Sequence, residues 1–429
     1  MAGNSGDNPL VLPLLVQAYQ APRADDFQSR LDEPLTLPSD RLLLRRADRL
    51  IGHVQVSKFV GWFHGQRCPL ARLQDFVTLP EYRSVDYDTP LLEVAESVAV
   101  SEGAIVGFLR TDRPEWFEQR GWSCCRGQGH TRANTRAILS HLDAQQSKCK
   151  KTTSTVEVRT WRHFELDSIL KLYQQLSIGM WGTLQRSLET WQWLVGRKAH
   201  DQILIAVEPS ADKLHKDTSE DDLPEEMDPH RQIDIVGYAI VRDSCIVEML
   251  TLPGHAAVRS MLLLQACRDA IDHDHHFVSL HTPAADPMHE LLVTAGGSWI
   301  ADSGASSGQA MIKLLAPDRW IERLYPVLQE RAREAGIRPP LEIDFAVGEK
   351  HQRLTLTRRS ARLEPIARSS SAVQCDWLAL QDLLTSNLTF PEAVVEGRLR
   401  TPHLSILRIL AALFPPKLLW QSPFPLLRL

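Results

Sequence analysis

FVTLPEYRSVDYDTPLLEVAESVAVSEGAIVGFLRTDRPEWFEQRGW, residues 76–122, decides the fold. Its opening residues end a β-rich run, Ala71 to Thr78, that stops at Leu79-Pro80. A loop carrying Arg83 follows, and then a helix. Leu91, Leu92, Ala95, Val98 and Ala99 recur at spacings of three and four, which gives that helix one apolar face. Thr89 or Asp88 is placed to cap it, and Pro90 suits its first turn. A second apolar run, Ala104 to Leu109, reads as a strand, and a short helix closes at Gly121-Trp122. The first loop therefore delivers the chain to a helix N-terminus. Unpaired N–H groups and a partial positive charge there suit a phosphate.

Working outward, three segments emerge. In the first, 1–150, Asp40 to Ser57 reads as two strands around a turn at Ala47-Asp48-Arg49, with the next turn at His64 to Arg67. The polar run Ser147 to Thr153 reads as a linker. The second, 151–325, alternates strands (Val156–Arg159, Ile203–Val207, Ile233–Val241, Ile246–Leu252, His276–Leu280) with helices (Leu166–Leu176, Gln185–Leu194, His255–Asp272, Pro287–Ala295). Residues 209–232 are acidic, polar and free of aromatics, the composition of a disordered insertion. The third, 326–429, opens with an alternating hairpin, Leu341 to Ala367, turning at Val347 to Lys350. Helices follow at Trp377–Ser386, Pro391–Gly397 and Leu404–Phe414, the last stopping at Pro415-Pro416. The class is mixed α/β.

The 429 residues are too many for one ordinary core. A net charge of −5 and the lack of a basic tract with aromatics argue against nucleic acid. No run approaches the roughly 20 apolar residues of a membrane span. No signal peptide is legible, and seven irregularly spaced cysteines do not make a disulfide framework; the expected location is the cytoplasm. Asp272-His273-Asp274-His275-His276 with His281 invites a metal reading, but a helix end running into a strand does not converge ligands, and no metal is expected. Ser303 to Gly308 lacks the Lys-Ser/Thr of a phosphate loop, and no Gly-x-Ser-x-Gly elbow occurs.

The order in residues 76–122 resembles the acetyl-CoA-binding core of the GNAT N-acetyltransferases, whose loop reads Arg/Gln-x-x-Gly-x-Gly/Ala. Here Arg83-Ser84-Val85-Asp86-Tyr87-Asp88 keeps the arginine and puts aspartates at both glycines. A tyrosine four residues before the Gly121 position often serves that superfamily as general acid; this chain has Phe117, which has no proton to give. The second segment resembles a second, cofactor-less GNAT unit whose joint reads Leu252-Pro253-Gly254-His255, and the third a small sterol-carrier-protein-like domain. Tandem GNAT folds followed by such a domain, with TLPEYR and the ALFPPKLLWQSPF ending, resemble the enhanced-intracellular-survival (Eis) acetyltransferases.

That resemblance implies acetyl transfer from acetyl-CoA to an amine of aminoglycoside, polyamine or lysine type, in a homo-oligomer. It implies a cofactor along Phe76, Val77 and Thr78, over Arg83, Ser84, Val85, Asp86, Tyr87, Asp88 and Thr89, and near Asp112 and Arg113. The C-terminal carboxylate, here that of Leu429, would be the base. Glu93, Glu96 and Asp75 are loose candidates for an acidic acceptor pocket. Asp86 and Asp88 admit two readings. Either they cap a structural helix and repel a pyrophosphate, or the loop keeps its shape and a neighbour neutralises them. A non-catalytic scaffold and a lipid carrier working through the last segment are accordingly the competing functions.

Overall fold

The computed structural model describes residues 1–19, 22–34, 36–148, 156–208, 234–302, 308–401 and 403–427. Helices α1 (Asn8–Tyr19) and α2 (Ala24–Leu31) precede strands β1 (Arg41–Arg46), β2 (Arg49–Phe63) and β3 (Gln66–Thr78). Then come α3 (Asp88–Ser101), β4 (Val106–Thr111), α4 (Pro114–Glu118) and β5 (Ser123–Cys124). The middle of the chain forms β6 (Gly129–Asn134), α5 (Thr135–Lys148), β7 (Glu157–Thr160), α6 (Leu166–Ser177), β8 (Trp181–Leu184) and α7 (Leu188–Gly196). It continues through β9 (Gln202–Glu208), β10 (Asp234–Arg242), β11 (Cys245–Thr251), α8 (Ala256–Asp272), β12 (Phe277–Leu280), α9 (Pro287–Thr294), β13 (Ser298–Ala301) and β14 (Gln309–Leu314). The last stretch holds α10 (Pro317–Glu334), β15 (Leu341–Val347), β16 (Lys350–Leu356), β17 (Ala361–Ile366) and β18 (Val373–Cys375). It ends with α11 (Trp377–Leu384), α12 (Phe390–Val395), β19 (Leu399–Arg400) and α13 (Leu404–Leu413). The mixed α/β class stands.

The chain folds into two compact units built from interleaved segments. One gathers the described parts of Met1–Gln128, Ile178–Gln185 and Asp302–Trp420; the other those of Gly129–Ser177, Arg186–Ala301 and Gln421–Leu429. The first unit contains a sheet of order β1-β2-β3-β4-β14-β5, with β8 on β2, and a second of order β17-β16-β15-β18-β19. The other unit has one sheet, β13-β6-β12-β11-β10-β9-β7. So β6 and α5, numbered in the segment 1–150, join the second unit, while β8 and β14 return to the first. These four elements pair with sequence-distant partners, which a local pattern does not encode. Ser147 and Lys148 end α5 and are not linker; residues 149–153, 209–232 and 303–307 lie outside the described residues.

In the first unit two apolar clusters cover opposite faces of the sheet. Leu42, Val54, Val56, Ala71, Leu73 and Leu109 pack with Leu91, Leu92 and Ala95 of α3 and with Phe117 and Trp122. Gly107 makes room here: a Cβ on it would lie 2.8 Å from the Trp122 ring. On the other face Leu43, Leu50 and Val77 pack with Val11, Leu14 and Leu15 of α1 and Phe27 of α2. The apolar helix α13 inserts Leu410 and Leu413 into a third cluster with Trp320, Leu324 and Leu328 of α10 and with Phe345 and Val373 of the smaller sheet.

Candidate active site

Strands β3 and β4 run parallel but pair only from Leu70–Val106 to Leu73–Leu109. Strand β3 continues to Thr78, and beyond Leu73 it has no strand on the β4 side among the described residues. The divergence begins at a bulge. Gln74 pairs with Gln55 and Val77 with His53, so Asp75 and Phe76 together oppose Val54. Asp75 takes φ 50°. One extra residue reverses which face the later side chains meet. Leu73 therefore lies against α3 and Val77, four positions on, against α1. Phe76 turns instead toward α4, with its ring 5.8 Å from that of Trp116 and 5.5 Å from that of Phe117.

Two carbonyls at the end of β3 already have side-chain partners. Tyr19 donates its hydroxyl to the Phe76 carbonyl, and Arg83 Nε donates to that of Thr78 at 3.3 Å. Tyr19 as a whole keeps 42% exposure, so the burial that raises its pKa is local to the phenolic oxygen. Asp75 and Asp112 add to that upward push, and Arg113 and Arg83 oppose it. Tyr19 thus keeps its proton throughout the physiological range.

Below this edge lies the N-terminus of α3. Asp86 adopts φ 50°, ψ 46°, the left-handed conformation that a glycine would take there. Its carboxylate accepts from Thr89 Oγ1 at 2.9 Å, and Arg120 lies 3.8 Å away. Asp88 is the first helical residue; it is 4% exposed and accepts from Arg113 at 2.8 Å. The cap expected from Thr89 or Asp88 is not made, because both side chains turn to other partners and leave the helix without a side-chain cap. Arg120 also donates to Thr89 Oγ1 at 2.7 Å and lies over the Trp116 ring at 3.7 Å. Arg113 flanks the same ring at 5.3 Å. Asp112 is exposed beside it. Neither carboxylate therefore occupies the amides a phosphate needs, and each has an arginine beside it.

Other expected residues have different employment. Phe117 is 2% exposed in the core. Glu96 is no pocket acid: it accepts from Lys313 at 2.7 Å and from Trp122 Nε1 at 2.8 Å. Val85 and Glu93 are exposed, Tyr87 precedes the helix, and Ser84 lies in the 3-10 turn Pro80–Val85. Leu429 lies outside the described residues. No group of metal-ligating side chains occurs among the described residues, and no helix there is long and apolar enough to cross a membrane.

Sequence reasoning missed a polar stripe under α1 and α2. Arg41, His53, Gln55, Ser57 and Arg72 are at most 5% exposed. The register puts Arg41 beside Gln55, Gln55 beside Gln74, and Ser57 beside Arg72. Gln55 donates to Ser57 at 3.0 Å and Ser57 to Gln74 at 3.2 Å. Arg30 bridges Asp26 at 3.0 Å and Asp75 at 3.6 Å. His53 Nδ1 lies 3.0 Å from the Asp75 carbonyl, so it carries the proton, and Nε2 is buried without a partner. Burial lowers the His53 pKa to about 4; Asp75 opposes that shift and Arg41 adds to it. The legible signal was His53-x-Gln55-x-Ser57, a polar alternation inside a strand whose other face is Val54 and Val56.

No known protein family matches the sequence, and no curated protein matches it. Solved structures do match. A GCN5-related N-acetyltransferase from Anabaena variabilis is 15% identical, with a TM-score of 0.70 over 98% of both chains. Another from Kribbella flavida is 15% identical, with a TM-score of 0.66 over 98% of this chain and 96% of that one. Eis1 from Mycobacterium abscessus is 13% identical, with a TM-score of 0.61 over 95% of each. The fold is that of the GCN5-related N-acetyltransferases. At these identities the likeness is one of fold.

Proposed function

We propose that the protein transfers acetyl from acetyl-CoA to an amine of aminoglycoside, polyamine or lysine type at the β3/β4 divergence. One observation carries the reading: a bulge opens two parallel strands directly before a helix whose N-terminal amides are left uncapped. The residues there fit the cofactor. Asp86 reproduces the glycine conformation, and Arg113 and Arg120 offset the charge of Asp88 and Asp86. The α3 amides, Arg83 and Arg113 would hold its phosphates.

The cofactor supplies an activated thioester. Amides on the open edge of Phe76–Thr78 orient and polarise a carbonyl placed along the strand. Tyr19 brings to that edge the phenol that Phe117 lacks and is the candidate donor for the departing sulfur, a weaker acid than a free phenol because burial and Asp75 raise its pKa. His53 is a poor base at neutral pH, since a conjugate acid of pKa about 4 gives little driving force. A water takes the amine proton. The two seven-stranded sheets act in this reading as the cores of tandem GNAT modules, the sterol-carrier-like segment 326–429 as scaffold, and the assembly as a homo-oligomer in the cytoplasm.

Titration calorimetry with acetyl-CoA, followed by a thiol-release assay over polyamines, aminoglycosides and lysine peptides, tests this. Binding with turnover on one amine class is expected. No heat at millimolar acetyl-CoA retires the reading. Binding without turnover favours the scaffold alternative, for which the buried Phe117 is the supporting observation.

A further inference from the structure

The smaller sheet of the first unit turns one face to α10 and α13, through Phe345, Val373 and Leu399, each no more than 1% exposed. Its other face holds a cleft of about 850 Å3. One transverse row of the sheet makes the floor. His351 pairs with Ala346, Ala346 with Gln374, and Gln374 with Arg400. Alanine at the centre of a row of longer side chains leaves a hollow. Arg368, Ser369 and Ser370, between β17 and β18, form one wall, and Gly397 and Arg398 another.

The lining is rich in donors. Ser369 N–H donates to His351 Nδ1 at 3.4 Å, so neutral His351 carries its proton on Nε2 as a further donor. Asp376 is the one carboxylate in the lining, and it is committed to the Ala379 amide at 2.6 Å as the cap of α11. Arg398 is held by Asp382 at 2.7 Å. Arg368 and Arg400 have no carboxylate within salt-bridge distance among the described residues. Two guanidinium forks, an imidazole N–H, a Gln amide and the Ser370 hydroxyl outweigh the Asp376 carboxylate and favour a multiply charged oxyanion, while the Ser369 hydroxyl is held by Asp344 at the border of the cleft.

We propose that this cleft binds a phosphate-bearing small molecule without an aromatic base, of the sugar-phosphate or polyphosphate class. Its volume falls in the range of small-ligand sites, roughly 300–1,000 Å3, well above what one inorganic anion fills. No Phe, Tyr or Trp side chain lines it, so a nucleobase finds no large ring to stack on. The site is independent of the proposed acetyl transfer.

The test is calorimetry on the full chain with pyrophosphate and glucose 6-phosphate, at constant ionic strength set with chloride. Saturable binding to either probe is expected. Arg368→Ala and Arg400→Ala should each weaken it at least tenfold, and the double variant should abolish it. Arg362→Ala, on the same sheet but outside the cleft, should leave it unchanged, with melting curves confirming that all variants are folded. Arg113→Ala should also leave it unchanged, which separates this cleft from phosphate capture at α3. Absence of heat at about 10 mM probe, binding that survives the double variant, or binding lost with Arg113→Ala would each overturn the proposal.

Discussion

Each of the two units contains a parallel strand pair that parts company at a bulge, and the residues around the two partings differ. In the first, β3 and β4 separate after Leu73, where Asp75 and Phe76 oppose Val54. In the other, β11 and β12 pair only at Cys245–Ser279 and Ile246–Leu280, and Val247 is the extra residue against Ile240 and Val241. Beside the second parting lies a closed ion pair: Arg186 donates to both oxygens of Glu248 at 3.0 and 2.7 Å, and Tyr238 donates to Glu248 at 2.5 Å. Tyr173, Trp191 and Phe424 present ring faces to the same guanidinium. Beside the first parting the polar groups are spread over several strands, and His53 Nε2 has no partner. The same backbone device can thus be filled by a bidentate ion pair, whose Arg186 Nε is itself without a partner among the described residues, or lined with polar groups spread over several strands. The proposed chemistry belongs to the second kind.

The comparison breaks most visibly at Glu248. Glu248→Ala strands a fully buried guanidinium and should cost about 3–5 kcal/mol in urea unfolding. Arg186→Met with Glu248→Leu should recover most of that, because the pair is expensive to bury. A small loss for the single variant would show that water reaches the pair.

At the first parting the expected effect is on rate. Tyr19→Phe removes the phenol at the Phe76 carbonyl and should lower kcat about 10²–10⁴-fold with little change in KM. An unchanged kcat would remove Tyr19 from the proton path.

His53 tests the same face by stability. Its folded pKa, about 4, lies below the ordinary value near 6.5, so the unfolded chain binds the extra proton between them. Stability is full above about pH 6.5 and falls as pH drops toward 4, by about 3 kcal/mol for this group. His53→Gln should flatten that part of the profile. An unchanged profile would mean that the imidazole is already charged in the fold.

How much of this was legible follows from the range of the interactions. Residues 76–122 announced β3, α3, β4 and α4 because their signals are local: spacing of Leu91, Leu92 and Ala95, proline at a helix start, glycine at a helix end. The Val347–Lys350 hairpin was legible for the same reason. Gly129–Asn134 and Gln309–Leu314 were not, since their partners lie more than a hundred residues away in sequence. The site was half legible. Two aspartates at the glycine positions signalled a charge problem, but its solution, Arg113 just past β4 and Arg120 in the turn after α4, needs the fold. Tyr19 was invisible because nothing in residues 8–19 says which carbonyl its hydroxyl meets.

Asp86 gives the smallest effect and the finest distinction. Asp86→Gly relieves a left-handed non-glycine residue, a gain of about 1 kcal/mol or less, since Asp visits that region more readily than most. It also deletes the bond from Thr89, a loss of similar size. Stability should therefore stay within about 0.5 kcal/mol, because the two terms oppose each other. Cofactor affinity has no such cancellation. Removing a carboxylate a few ångströms from a phosphate seat, in a partly exposed setting, is worth about 1 kcal/mol, or roughly fivefold in Kd for acetyl-CoA. Tighter binding at unchanged stability would show that the loop was already shaped for the cofactor and only its charge stood in the way. Weaker binding would show that the Asp86–Thr89 bond itself holds the amides in place, and would move the first parting closer in kind to the ion-paired one.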